Sequence, residues 1–175
     1  MISGRELSRD EIDLIWTIDR SEVIQNVYHY QDGMLVLKPA HFIVTGWPPG
    51  VAEESTPILL DCIDRDGWFF GFFDSDKLIG VVILENKFVG SKLEKLQLKF
   101  LHVSQAYLGQ GLGRKLFMLA RDKARKKGAK QLYVSATPSE GTIKFYQIMG
   151  CTLAQELDQE LFGLEPDDIH LTCWV

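Results

Sequence analysis

Three glycines, Gly109, Gly111 and Gly113, fall between a β-type run that ends near Val103 and a helical pattern that starts near Leu112. The first amides of a helix have no partner inside it, and the helix dipole adds positive charge there, so this junction suits an anion such as a pyrophosphate. Glycine allows either a turn with positive φ or close approach of ligand oxygens, and a plain strand-to-helix turn asks for the same residue. The spacing is G-x-G-x-G, it comes late in the chain, and no acidic residue ends the next β-type run at Gln131–Ala136. Those features exclude a dinucleotide fingerprint, and the lack of a following Gly-Lys-Ser/Thr excludes a Walker A loop. Arg114 and Lys115 stand beside the glycines, whereas Arg121 to Lys130 read as a solvated helix face with cations near its C-terminus.

A second residue with usable chemistry is Tyr146. A phenol with a pKa of about 10 is protonated at neutral pH and can donate to a developing thiolate, whose parent thiol lies near roughly 8.5. Away from the glycine loop, the same tyrosine reads as a packing residue beside Phe145 and Ile148. His102 has an intrinsic pKa suited to taking a proton, but a lone histidine in a strand is more often structural and is left out of the catalytic set. The four histidines show no H-x-x-x-H or H-E-x-x-H spacing, so no metal site is expected. Cys62, Cys151 and Cys173 are odd in number and far apart, which fits neither a disulfide framework nor a C-x-x-C pair and points to the cytoplasm.

The elements that must position these residues follow from periodicity. Ser8-Arg9-Asp10-Glu11 reads as a capping box ahead of a first helix near residues 9–18, striped by Ile12, Ile15 and Ile18. Val23–Thr45 alternates around a turn at Asp32-Gly33 and predicts a hairpin; residues 51–66 predict a second helix, weakened by Pro57. Residues 68–73 and 77–84 form the next hairpin pattern, and 96–103 the next strand. Then come a helix over 111–127, a strand over 131–136, a short helix from Ser139 to Gly150, and a closing antiparallel pair at 152–154 and 169–175. The strand–helix–strand unit implies a right-handed crossover and a parallel pair. The fold class is α/β (α+β): a mixed, mostly antiparallel sheet with helices on both faces.

The chain has 175 residues, is 46% hydrophobic and 25% charged, and suits one domain over residues 1–175. A net charge of −5 argues against nucleic acid as a partner. No apolar stretch approaches the roughly 18 residues of a membrane span, and residues 1–10 lack the features of a secretory leader, so neither membrane insertion nor secretion is expected.

Leu101-His102-Val103, Tyr107-Leu108-Gly109-Gln110-Gly111-Leu112-Gly113 and Phe145-Tyr146-Gln147-Ile148-Met149-Gly150, in that order and spacing, resemble the GNAT superfamily of acyl-CoA-dependent N-acyltransferases. The resemblance is strongest from Leu96 to Cys151. It implies a splayed parallel strand pair, here 96–103 and 131–136, with acetyl-CoA as co-substrate in the gap. It also implies an amine acceptor, from a small molecule or peptide, that attacks directly in a ternary complex. By the same resemblance Val103 pairs its backbone with the pantetheine, and an amide near Leu101 polarises the carbonyl. Leu108 belongs to the cofactor-binding loop, the amides of Gly109, Gln110, Gly111, Leu112, Gly113 and Arg114 hold the pyrophosphate, and Tyr146 protonates the leaving sulfur. Ser139 either caps its helix or reaches the cofactor. Leu108 stands where the family carries Gln or Arg, and Gln97 where several members place a glutamate base, so the base is unassigned. A non-catalytic acyl-CoA-binding or sensing module is the alternative.

Three further features bear on the acceptor. The segment Glu156–Asp168 holds six acids and no base, which reads either as a rim for a cationic amine or as a solvated loop. Tyr28, Tyr30 and Trp47 read either as an apolar acceptor wall or as core. The uncovered edge of the final strand pair leaves room for a homodimer.

Overall fold

The computed structural model describes residues 1–175. Leu78–Leu84 is an unbroken apolar run, and every residue in it is buried. A strand reads this way when both of its faces are covered. Val82 and Leu84 face a core with Leu116, Phe117 and Ile143, whereas Val81 and Ile83 face a second core with Ile12, Ile15 and Leu59. Helices therefore pack on both sides of one central sheet, as expected.

In chain order the elements are β1 (Ile2–Glu6), a 3-10 helix (Arg9–Thr17), β2 (Glu22–Gln31), β3 (Met34–Val44), α1 (Val51–Asp64), β4 (Trp68–Asp74) and β5 (Lys77–Val89). They continue with β6 (Lys95–Val103), a one-turn 3-10 segment (Gln105–Tyr107), α2 (Leu112–Lys126), β7 (Gln131–Ala136), α3 (Glu140–Ile148), β8 (Thr152–Leu153), α4 (Gln159–Leu164) and β9 (Ile169–Trp174). The main sheet has the order β1-β4-β5-β6-β7-β9-β8, and β2 with β3 forms a separate two-stranded sheet.

The one parallel contact, β6 with β7, lasts for the pairs Lys95↔Gln131, Leu96↔Leu132 and Gln97↔Tyr133. Beyond it β6 stays with β5 as far as Gly80↔Val103, and β7 stays with β9 as far as Ala136↔Ile169. Each strand is held by its outer neighbour, so the inner edges diverge and leave backbone groups facing a gap.

The isolated hairpin is tied down at its first strand. Tyr28 N donates to Pro138 O at 2.8 Å, and Asn26 Nδ2 donates to Glu140 Oε2 at 2.8 Å. Tyr28 and Leu35 pack against the larger core, which helps to hold a two-stranded sheet that would be marginal alone.

Several sequence expectations are corrected. Cys151 and Cys173 form a disulfide with a Cα–Cα distance of 4.4 Å. They are the register neighbours of the Thr152↔Thr172 pair, so antiparallel pairing of β8 with β9 brings them together despite their separation in sequence. The first helix is 3-10 in type, and Met1–Leu7 contributes a strand, β1, paired with β4. The second helix forms as expected: α1 continues through Pro57 because the stripe carrying Leu59 and Cys62 is buried, and one missing amide bond does not outweigh it. The acidic segment is not all loop: α4 lies within it, and Asp158 Oδ1 accepts from Leu161 N at 3.1 Å as its cap.

Candidate active site

The loop between β6 and α2 puts Gly109 at φ 74° and Gly111 at φ 79°. A Cβ at either position would meet nothing within 4 Å, so glycine is required by the left-handed backbone and not by lack of space. α2 starts directly after Gly111, and its first internal bond there runs from Lys115 N to Gly111 O at 3.1 Å. The amides of Leu112, Gly113 and Arg114 therefore have no helical acceptor.

The electrostatics of this helix end are unusual for the chain. α1, α3, α4 and the 3-10 helix all carry acidic residues in the first turn, which suits the positive end of a dipole. α2 carries none, and has Arg114 and Lys115 instead. Cations at that end destabilise an isolated helix, but they reinforce a site that takes an anion.

A cleft of about 750 Å³ runs from this loop into the gap between β6 and β7. Leu98 to Val103 form one wall, Ser135, Ala136 and Thr137 the other, and Thr142, Phe145 and Tyr146 of α3 close one side. Of the residues expected to bind the cofactor, Leu101, Val103, Leu108, Gly109, Gly111, Leu112, Gly113 and Arg114 line the cleft. Gln110 is exposed outside it, with Nε2 donating to Ala106 O at 3.3 Å. Ser139 is also outside: it is 2% exposed, and its hydroxyl donates to Thr142 Oγ1 at 2.9 Å and accepts from no helix amide. Gly141 and Thr142 reach the cleft from this end of α3. The splayed edges, the amide cradle and its cations fit a ligand with a diphosphate at one end and a thin, amide-bearing arm at the other.

Tyr146 lines the same cleft but is only 7% exposed, packed edge-on against Phe145 and Phe117. Burial raises its pKa above the usual phenol value, so the hydroxyl keeps its proton through the physiological range. Trp47 lines the cleft from the N-terminal side, held by donation of Nε1 to Ile18 O at 3.0 Å. Tyr28 instead packs in the core, and Tyr30 at the hairpin tip is 63% exposed.

Two possible proton acceptors are disposed of by position and burial. Gln97 sits at the last position of β6 that pairs with β7 and does not line the cleft. His102 does, but packed against Trp47 and Phe100 its pKa is pulled down to about 3, first by burial and then by the Arg20 charge. An imidazole that weak holds no proton at neutral pH. Cys62 is fully buried in the second core, and burial pushes its thiol up to about 12, which makes it a poor nucleophile.

Asp168 and Glu165, two of the six acids between the last strands, line the cleft. Burial first, then the charges of Glu165 and Asp167, push the Asp168 carboxyl up to about 6. The sequence left these six acids open between a rim for a cationic amine and a solvated loop, and set none of them apart. The position of Asp168, just before a final strand that pairs with β7, is what brings it level with the end of the gap.

Comparison with known proteins places this geometry. The chain is similar over its full length to solved structures that share its fold. One is nourseothricin acetyltransferase, 23% identical with a TM-score of 0.73 over 99% of this chain and 98% of that one. Another is a putative streptothricin acetyltransferase from Bacillus anthracis str. Ames in complex with acetyl coenzyme A, 16% identical with a TM-score of 0.72 over 100% and 99%. A third is PaiA N-acetyltransferase from Thermoplasma acidophilum in complex with coenzyme A, 18% identical with a TM-score of 0.67 over 100% and 99%. No curated protein matches the sequence closely enough to count as a relative. The model of the acetyltransferase (GNAT) family matches residues 37–151, well over half of the chain and the whole of the glycine loop, β6, β7 and α3. The chain belongs to the acetyltransferase (GNAT) family.

Proposed function

We propose that this enzyme transfers the acetyl group of acetyl-CoA to a primary amine of a small molecule or peptide, by direct attack within a ternary complex. The observation that carries the reading is the sharing of one cleft by an amide cradle with uncompensated positive charge, two splayed strand edges and a buried phenol. In it, the amides of Leu112 to Arg114 grip the pyrophosphate, with the Arg114 side chain beside them. The free edge near Leu101 and Val103 bonds the pantetheine arm, and an amide there polarises the thioester carbonyl. The acceptor nitrogen attacks the carbonyl carbon, and the carbon–sulfur bond breaks. Tyr146 gives its proton to the leaving sulfur. Desolvation that raises the phenol pKa acts also on the nascent thiolate, so the transfer stays close in energy. No cysteine lines the cleft, so a covalent acetyl-cysteine has no place in this reading.

Calorimetry with acetyl-CoA, followed by thiol release across a panel of amines, tests this reading. The panel includes free amino acids, diamines, peptide N-termini and nourseothricin, the last because one structural relative bears its name. Saturable thiol release with one acceptor, and a product heavier by one acetyl group, is the expected result. Tight binding of acetyl-CoA with no turnover on any amine would replace the enzyme by an acyl-CoA-binding module.

A further inference from the structure

An amine enters at neutral pH as an ammonium, and attack requires that it lose a proton first. The residues assigned above leave that step without an acceptor, because Gln97 lies outside the cleft and His102 is too weak a base. Among the other carboxylates that line the cleft, Asp19 is exposed and accepts from the Ser21 amide at 2.9 Å, Glu22 is exposed at the start of β2 beside the Arg20 charge, and Glu165 is exposed. Asp168 differs from all three in being partly buried. Its side chain makes no ion pair, and its position just ahead of the Ile169↔Ala136 pair sets it beside Thr137, where the gap opens. The segment that carries it, 154–168, contains no lysine or arginine.

We infer that Asp168 receives the acceptor's ammonium in this cleft and takes its proton before the nitrogen attacks. This rests on the acetyl-transfer reading and supplies the step that reading lacks. The groups facing Asp168 agree with the role. Glu165 and Asp167 of its own segment add negative charge, and the register of the last strand sets uncharged Thr137 beside it. The cations of the cleft lining, Arg20, Lys99 and Arg114, lie on other elements, and Asp168 forms no ion pair with them. An incoming ammonium is then the charge that compensates a partly buried carboxylate. A carboxyl with a pKa of about 6 is also roughly a hundredfold more basic than an ordinary aspartate, yet still ionised at neutral pH.

The protons balance. The ammonium gives one to the Asp168 carboxylate, leaving a neutral amine whose lone pair forms the new carbon–nitrogen bond. As the carbon–sulfur bond breaks, Tyr146 protonates the sulfur and regains a proton from the nitrogen, which still carries one too many for an amide. Asp168 releases its proton to solvent, so each turnover yields the acetylated amine, the free thiol and one proton.

The test compares wild type with Asp168→Asn and Asp168→Glu, using the best acceptor of the amine panel and pH profiles of kcat/KM between about pH 5 and 9. In wild type the profile should fall on the acid side with an apparent pKa near 6. Asp168→Asn should lower kcat/KM by roughly a hundredfold or more and lose that limb, Asp168→Glu should restore part of both, and acetyl-CoA affinity by calorimetry should not change in either. A folded Asp168→Asn enzyme, by circular dichroism, with wild-type rates and the same acid limb overturns the assignment while acetyl transfer stands. Loss of acetyl-CoA binding together with activity also overturns it, because the carboxylate would then be serving the cofactor. Absence of turnover on every amine removes the acetyl-transfer reading and this step with it.

Discussion

Tyr146 carries the sharpest expectation for a single side chain. Its ring packs in the core, touching Phe117 and Phe145, and the residue also lines the cleft. Tyr146→Phe keeps the ring and removes only the donor, so packing and acetyl-CoA affinity should hold while kcat falls by roughly 10²–10⁴-fold, the usual worth of a positioned acid. Stopped-flow thiol release and calorimetry on the same preparation separate the two; wild-type kcat in the variant would reject the acid role. This residue was legible in the sequence because it follows a glycine loop at a recognisable spacing. Asp168 was not, since an aspartate among five other acids carries no periodic mark, and only the pairing of the last strand with β7 sets it apart. Ser139 shows the opposite failure. Its place before a helix suggests a cap or a cofactor contact, but its hydroxyl turns along the helix to Thr142.

At the level of elements, the strand–loop–helix unit from β6 to α2 should be sensitive to backbone conformation and tolerant of volume. Gly111 holds φ 79° where an added Cβ meets nothing within 4 Å, so the cost expected of Gly111→Val is led by the left-handed strain, about 1–3 kcal/mol. If that strain is relieved by turning the amides of the first turn away, acetyl-CoA affinity should drop about tenfold to a hundredfold with the fold intact. Gly163→Ala in α4, also in open space but without positive φ, is the matching control and should leave affinity unchanged. Equal affinities in the two variants would show that the loop does not grip the cofactor. The hydrophobic periods placed most strands and helices of this fold, because an apolar stripe of period 3.6 and a buried β-run are both written in residue order. β1 escaped since all five of its residues are exposed, and α4 because six residues are too few to show a period. The Cys151–Cys173 bond escaped through counting: three cysteines looked unpaired, although the closing antiparallel pair already sets them in register. Closing a loop of this separation stabilises by about 3 kcal/mol in the chain-entropy model. Reduction should therefore lower Tm by several degrees, measured by calorimetry with and without a thiol reductant; an unchanged Tm would mean that β8 and β9 hold without the bond.

For the whole molecule, the placement of charge ties stability to pH in a way that the site makes specific. Glu11, bonded by Arg5 and the Ser8 amide, is held down to about 2, so its contribution is present above the unfolded carboxylate pKa and is lost only in strong acid. Asp168 runs the other way. Its folded pKa of about 6 lies above the unfolded value of about 3.9, so between these the folded state binds more protons than the unfolded chain. Stability must then fall as pH rises from about 4 to 6, and stay lower above that range. Asp168→Asn removes the charge without changing the shape, and should leave Tm unchanged at pH 4 but raise it at pH 8. Discounted for partial exposure, the gain is about 1 kcal/mol, or roughly 2–4 °C for a chain of this size. Thermal melts of the two proteins at both pH values decide it, and equal Tm differences at pH 4 and pH 8 would mean that the carboxylate is not desolvated. A variant that is more stable at pH 8 yet slower in acetyl transfer is the pattern of a strained charge kept for its chemistry.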